Sequence, residues 1–498
     1  MSAPILLGFV VAYFALLLGV AWWTSRKADN AAFFTGNRNS PWALVAFGMI
    51  GTSLSGVTFV SVPGAVGITH FNYLQIALGQ ALGYFVIAAV LLPLYYRLKL
   101  TSIYGFLSYR MGPASYRTGA AAFIASRTLG ATARLYLVVA VLQDMILSAF
   151  GVPFWLTAAV ILLMILLYTL EGGVRTIVFT DTLQTAGMLL GLLVCTWFLL
   201  HRLNLSLPQS LALMSERGIS QVWVTDPLSK SYFAKQLLAG VFITIAMTGM
   251  DQEMMQKSLS VRTLRDSQKN MVLLAFVLLA VISVFLFLGG LLYLFAPTVG
   301  LQGAGDRIFP AVVLGHLPVA VQVLFVIALV SALFPSADGA LTALTSSTCI
   351  DLLGLQKRAD LTAQEQARES RTRRIVHLGF AALFMLLVLA FKALNDPSMI
   401  GLILKIAAYT YGPLLGLFAF GVMTKRQVRD GLVPCIAVAA PLLCWLIDAN
   451  QKRWFGGWEL GLELLVLNGA LTFAGLWLVS RPNPTPTLAS TPTPIANR

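Results

Sequence analysis

An acid, a proline and a row of hydroxyls stand inside an apolar run at residues 323–352. Ser331, Pro335, Asp338, Thr342 and Thr345 recur at steps of four and three, so they share one face of a helix. A carboxylate at membrane depth is costly and must face protein or a water-filled cavity, so such a stripe suggests an ion or solute path. Hard cations take oxygen ligands, which hydroxyls, carboxylates and carbonyls supply. Pro335 has no N–H, so the carbonyl of Ser331 loses its usual helix partner and is open to another. The plainer reading is a proline kink whose hydroxyls bond back to their own helix. A kink alone does not explain Asp338.

A second unusual stretch is Gly48 to Phe59, where three glycines and several hydroxyls interrupt an apolar run. Such a segment is prone to unwind, and irregular backbone at that depth is tolerated where it lines a cavity. Gly240 to Asp251 is interrupted in the same way, five spans later. Small residues that let helices pack closely explain either stretch alone. Their matched placement points instead to an inverted-repeat transporter with its site at the midplane. Arg127 and Arg134, seven apart, lie on one helix face with Asp144 further along. Arg127 is placed to snorkel toward the inner surface, and Arg134 lies deeper. Asp181 sits in the first turns of another apolar run, as a cap or an ion ligand. Lys405 is a further charge at membrane depth.

The elements that must hold these residues follow from composition. Of 498 residues, 58% are hydrophobic and 11% charged, with mean hydropathy +0.81. That excludes a water-soluble fold and indicates an all-α polytopic membrane protein. Thirteen spans are expected, near 5–24, 42–67, 73–96, 118–149, 153–170, 177–201, 233–255, 270–296, 318–350, 374–394, 397–423, 429–448 and 459–480. The expected layout is a leading helix and loop (1–41), a first five-helix repeat (42–202), an external loop (203–232), a second repeat (233–423), trailing helices (424–480) and a disordered Pro- and Thr-rich tail (481–498). The net charge of +14 comes from Lys and Arg in short loops, not from a nucleic-acid face. Most of these, including Arg26, Lys27, Lys257, Arg262 and Arg371, fall in alternate loops and predict the N-terminus outside and the C-terminus in the cytoplasm. The N-terminus does not read as a cleavable signal peptide. Cys195, Cys349, Cys435 and Cys444 lie in or beside apolar spans and read as small core residues. His70, His201, His316 and His377 lie near span ends with no ligand spacing, which argues against a membrane-embedded enzyme. The short tail argues against a sensor with a signalling domain.

With these residues in view, the chain resembles the sodium/solute symporter family, the group that includes proline, galactose, iodide, monocarboxylate and sialic acid carriers. The most specific piece is Gly172 to Gln184, with its Thr180-Asp181 pair; Asp251 to Ser260 and Tyr409 to Phe418 are also similar. The resemblance implies a LeuT-like five-plus-five inverted repeat, with one extra leading and two extra trailing helices. It further implies solute uptake coupled to Na+ by alternating access in a cell membrane, with no nucleic acid and no required protein partner. Carried over, the sodium site would use backbone oxygens of Gly51, Leu54 and Ala332 and the hydroxyl of Ser336. The family usually has two adjacent hydroxyl residues where this chain has Pro335-Ser336, so the freed carbonyl or Asp338 would have to substitute. Some members bind a second sodium at the acid matching Asp181, against the helix that carries Asp338. One or two ions, or a proton in place of one, all fit at this stage.

For the solute, Ser53, Ser55 and Thr58 look most like the sialic acid branch, and Phe71, Gln75 and Arg134 fit that branch's substrate positions. Arg127 is the rival to Arg134. An arginine clamps a carboxylate in two parallel bonds, so an organic anion is the expected solute, with a neutral sugar or an amino acid as the alternative.

Overall fold

The computed structural model describes residues 3–25, 41–100, 102–303, 305–355, 362–394 and 399–482. The side chains of Gly172 to Val178, the loop residues Arg26, Lys27, Arg38, Lys357 and Arg358, and the tail from 483 onward lie outside the described residues.

Long apolar runs with few breakers form helices because in lipid only a helix or a closed barrel satisfies its own backbone. The leading helix α1 spans Ala3–Ser25. The next run is divided into α2 (Trp42–Ser53) and α3 (Gly56–Thr69), bent by 53° at the break. Then come α4 (Tyr73–Arg97), α5 (Pro113–Met145) and α6 (Phe154–Arg202). A second broken pair follows, α7 (Phe233–Gly249) and α8 (Gln252–Leu259), bent by 66°. After α9 (Leu264–Phe295), α10 (Val319–Ser347) and α11 (Ala363–Leu394), a third pair is bent by 47°: α12 (Met399–Thr410) and α13 (Gly412–Met423). The trailing helices are α14 (Val433–Trp454) and α15 (Leu464–Leu478).

Among the described residues, eight helices are long and apolar enough to cross a bilayer alone, and the three bent pairs bring this to eleven. The other two expected spans correspond to the shorter apolar helices Phe154–Leu167 and Leu464–Leu478. The expected spans 153–170 and 177–201 fall on one helix, α6, with no break between them. The run 397–423, expected as one uninterrupted span, is instead broken at Tyr411, ahead of a proline that starts the next helix. Arg481, expected in a disordered tail, pairs antiparallel through its backbone with Gln427 in a two-residue ladder.

Glycines set the closest helix approaches. A Cβ at Gly187 would meet the Ser331 hydroxyl, and one at Gly191 would overlap Ala328, so α6 lies directly on α10. Gly79 of α4 and Gly240 of α7 bring those two backbones together, where any side chain would strike a carbonyl. At the first break, a Cβ at Gly56 would sit 3.8 Å from the carbonyl oxygen of Ala332, which places the unwound segment against α10.

Candidate transport site

The three breaks differ in what happens to their carbonyls. At the second, Tyr95 donates its hydroxyl to the Gly249 carbonyl at 2.9 Å and Tyr104 donates to Met250 at 3.0 Å. At the third, the Asn468 amide donates to the carbonyls of Ala408 at 3.1 Å and Tyr409 at 2.8 Å. At the first, Leu54 N–H is the last to donate back, to Ile50 at 2.8 Å, and Phe59 N–H is the first to resume, to Ser55 at 3.0 Å. Leu54 and Ser55 are non-helical between them. No backbone N–H reaches the carbonyls of Gly51 to Leu54 among the described residues. Buried carbonyls are paired as a rule, so unclaimed ones mark a place for a ligand. A hard cation suits carbonyl oxygen.

The facing helix supplies the rest. Ser336 is buried with its hydroxyl unpartnered, and so is Thr342, which stands on the Asp338 side of it. Asp338 is fully buried and accepts from the Gly339 N–H at 2.6 Å. The ends of the expected stripe have structural partners instead. Ser331 donates to the Tyr13 hydroxyl of α1 at 2.7 Å, and Thr345 meets His377 Nδ1 at 2.9 Å. The helix runs through Pro335 without a break. Gly51 and Leu54 stand at the first break, where Gly51 packs on Thr185 of α6, and Ala332 and Ser336 stand on α10, which approaches the break at Gly56. Break carbonyls with no backbone donor and a buried, unpartnered hydroxyl on α10 are oxygens of the kind a sodium ion takes.

Beside the break is a cavity lined by Ser53, Ser55, Thr58, Tyr73, Gln80, Tyr84, Arg134, Thr244 and Thr248, with apolar walls from α9 and α12. Arg134 is half-buried and makes no hydrogen bond or ion pair among the described residues, while hydroxyls surround it. Arg127, the rival, is not free and does not snorkel. It is buried in an ion pair with Glu253 and lies 3.6 Å from Asp251.

Two expected solute residues stand elsewhere. Gln75 is fully buried and binds the loop 203–232: its amide donates to Ser231 at 3.4 Å and its oxygen accepts from Val224 N–H at 3.4 Å. Phe71 is buried beside the same loop, its N–H donating to Gln221 at 3.0 Å. Neither lines the cavity. Their spacing of four puts them on one face, but that face is about half a turn from the one carrying Tyr73, Gln80 and Tyr84. The latter recur at seven and eleven, a spacing readable in the sequence.

Asp181 is fully buried, as an intramembrane functional acid would be, but it already has a cation. Lys257, expected in a cytoplasmic loop, is instead buried in α8, with Nζ 2.8 Å from Asp181 Oδ2. Asp251, inside the expected span 233–255, caps α8 by accepting from Met254 N–H at 3.1 Å. Lys405, the further charge expected at membrane depth, has a side chain 63% exposed and stands 3.6 Å from Asp448.

A family model of sodium:solute symporters matches residues 33–436. The chain belongs to the sodium:solute symporter family. It is 22% identical over 500 residues to the sodium/sialic acid symporter SiaT of Proteus mirabilis, covering 94% of each chain. It is 24% identical over 445 residues to the human sodium/iodide cotransporter, covering 86% of this chain and 67% of that one. Over 417 residues it is 27% identical to the rabbit sodium-dependent multivitamin transporter, covering 81% and 63%. Its structure superposes on a Na+-coupled sialic acid symporter with TM-score 0.80 at 17% identity, covering 95% and 97%. That likeness shows the fold: a LeuT-like transporter core. This symporter is a multi-pass membrane transporter with sodium as its coupling ion.

Proposed function

We propose that this symporter imports a small hydroxylated organic anion, of which a sialic acid is one instance, together with sodium. The observation that carries this reading is Arg134: a guanidinium with no acid paired to it among the described residues, lining a cavity whose other polar groups are hydroxyls, the Gln80 amide and the already paired Arg127, with apolar walls. Five N–H donors in a planar fork match a carboxylate, and the hydroxyls of Ser53, Ser55, Thr58, Tyr73 and Tyr84 match a polyol. Sialic acid is also what SiaT of Proteus mirabilis is named for.

Sodium binds between the first break and α10, held by carbonyls of Gly51, Leu54 and Ala332 and by Ser336 Oγ, with Asp338 lending negative charge. The five-helix sets 42–202 and 233–423 act as the two repeats. An ion that binds across them more tightly in the outward-facing form favours that form until solute enters, and the bundle then rocks. The N-terminus faces outside and the C-terminus the cytoplasm of a cell membrane. A neutral sugar remains the second reading, because the same hydroxyls suit it without Arg134.

Uptake into proteoliposomes tests this. With potassium inside and either sodium or potassium outside, labelled sialic acid, a short monocarboxylate, a neutral hexose and proline are offered in parallel. Sodium-dependent uptake of an anion is expected. Uptake of the hexose or proline alone removes the role of Arg134. Sodium-independent uptake driven by a pH gradient and abolished in Asp338→Asn sinks the sodium reading.

A further inference from the structure

Lys257 carries three N–H donors on its ammonium, and three buried oxygens face it: Asp181 Oδ2 at 2.8 Å, Thr52 Oγ1 at 2.8 Å and Glu253 Oε1 at 3.0 Å. These oxygens come from α6, from the last turn of α2 before the first break, and from α8 itself. The residues are shielded from solvent: Lys257, Asp181, Thr52 and Glu253 are all buried. Glu253 is held in turn by Arg127 and packs onto Gly339, where any larger residue would collide with its carboxylate. The ammonium is thus fastened in a cage built from the first broken helix, the second broken helix and the helix beside α10.

We infer that Lys257 is a tethered cation occupying the position at Asp181 where a second sodium would otherwise bind, so that this symporter couples transport to one sodium ion. The inference rests on the sodium-coupling reading above. A hard cation needs several oxygens, and Lys257 has claimed the inward ones, leaving Asp181 a single unpartnered oxygen, Oδ1. A sodium ion arriving there would also meet the like charge of the ammonium at contact distance. The ammonium cannot diffuse away, because its four-carbon stem is anchored in α8, so it competes at a high local concentration that bulk sodium must overcome. Among the described residues, no ammonium or guanidinium is bonded to Ser336 or to the carbonyls of Gly51, Leu54 and Ala332.

Sodium binding to the purified full chain in lipid nanodiscs tests this, read by equilibrium dialysis with labelled sodium. One ion per chain is expected in the wild type. The Asp181→Asn/Lys257→Met double variant removes both charges together, and Glu253 keeps its ion pair with Arg127. It is expected to bind one ion as well, with a dissociation constant within about threefold of wild type. Two ions in the wild type, one of them lost in the double variant, would overturn the inference while leaving sodium coupling intact. No sodium bound by the wild type would overturn the coupling reading, and this inference with it.

Discussion

On the proposed reading Ser336 and Arg134 act through single groups of opposite chemistry, so their loss should separate cleanly. Ser336→Ala removes one oxygen from an ion that takes several. The sodium concentration for half-maximal uptake should rise roughly tenfold, about 1.4 kcal/mol, with maximal rate and solute half-saturation little changed. A variant indistinguishable from wild type would move the ion elsewhere. Arg134→Ala removes a charge-assisted pair worth about 1.5–3 kcal/mol, so half-saturation for an anionic solute should rise roughly 10- to 100-fold with sodium dependence retained. Arg134→Lys keeps the charge but not the planar fork and should fall between. Equal losses for a neutral solute would show that Arg134 shapes the cavity and does not clamp a carboxylate.

The broken helices look alike in sequence but are finished differently. The carbonyls of the second and third breaks are claimed by Tyr95, Tyr104 and Asn468, whereas among the described residues no backbone N–H reaches those of Gly51 to Leu54 at the first. Tyr95→Phe should therefore act on stability, not on the ion. It strands the Gly249 carbonyl in an apolar setting at about 1–3 kcal/mol, which thermal unfolding in detergent would register as a lowered midpoint. Sodium half-saturation should stay near wild type. If it rose instead while the midpoint held, the second break would belong to the ion site. The buried charges obey the same logic of paired removal. Lys257→Met alone leaves Asp181 and part of Glu253 uncompensated, at about 3–5 kcal/mol, which is why the neutral double variant is the informative one.

For the whole molecule, ion count and solute charge together decide how the membrane potential acts. One sodium carried with one monoanion moves no net charge. An imposed potential of 100 mV, worth about 2.3 kcal/mol per charge moved, should then leave the accumulation ratio of a monoanionic solute unchanged. A ratio that climbs steeply with a negative interior would mean more than one cation per solute. Orientation is open to a direct check in a background lacking Cys435, which is the exposed cysteine. A cysteine replacing Ser215 should react with an impermeant maleimide in intact cells, and one replacing Arg371 only after permeabilisation. The reverse pattern would invert the topology.

The sequence alone determined that this is a helical membrane protein, because twenty-residue apolar runs and an excess of loop cations have no other physical outlet. It also pointed to the first break, since glycines and hydroxyls clustered at Gly48 to Thr58 have no place in an ordinary lipid-facing helix. The stripe on α10 was legible through its spacing. Its division into structural ends and an open middle was not, because Tyr13 and His377 come from distant helices. That Phe71 and Gln75 stand apart from the cavity was not legible, because a spacing of four fits any face of a helix and only packing against the loop 203–232 selects one. Lys257 was read as a loop charge because nothing local distinguishes a solvated lysine from one held by three oxygens, two of which come from other helices. What tertiary structure decided was which polar groups already have partners. That depends on contacts between residues far apart in the chain, and those contacts separate a binding site from a satisfied core.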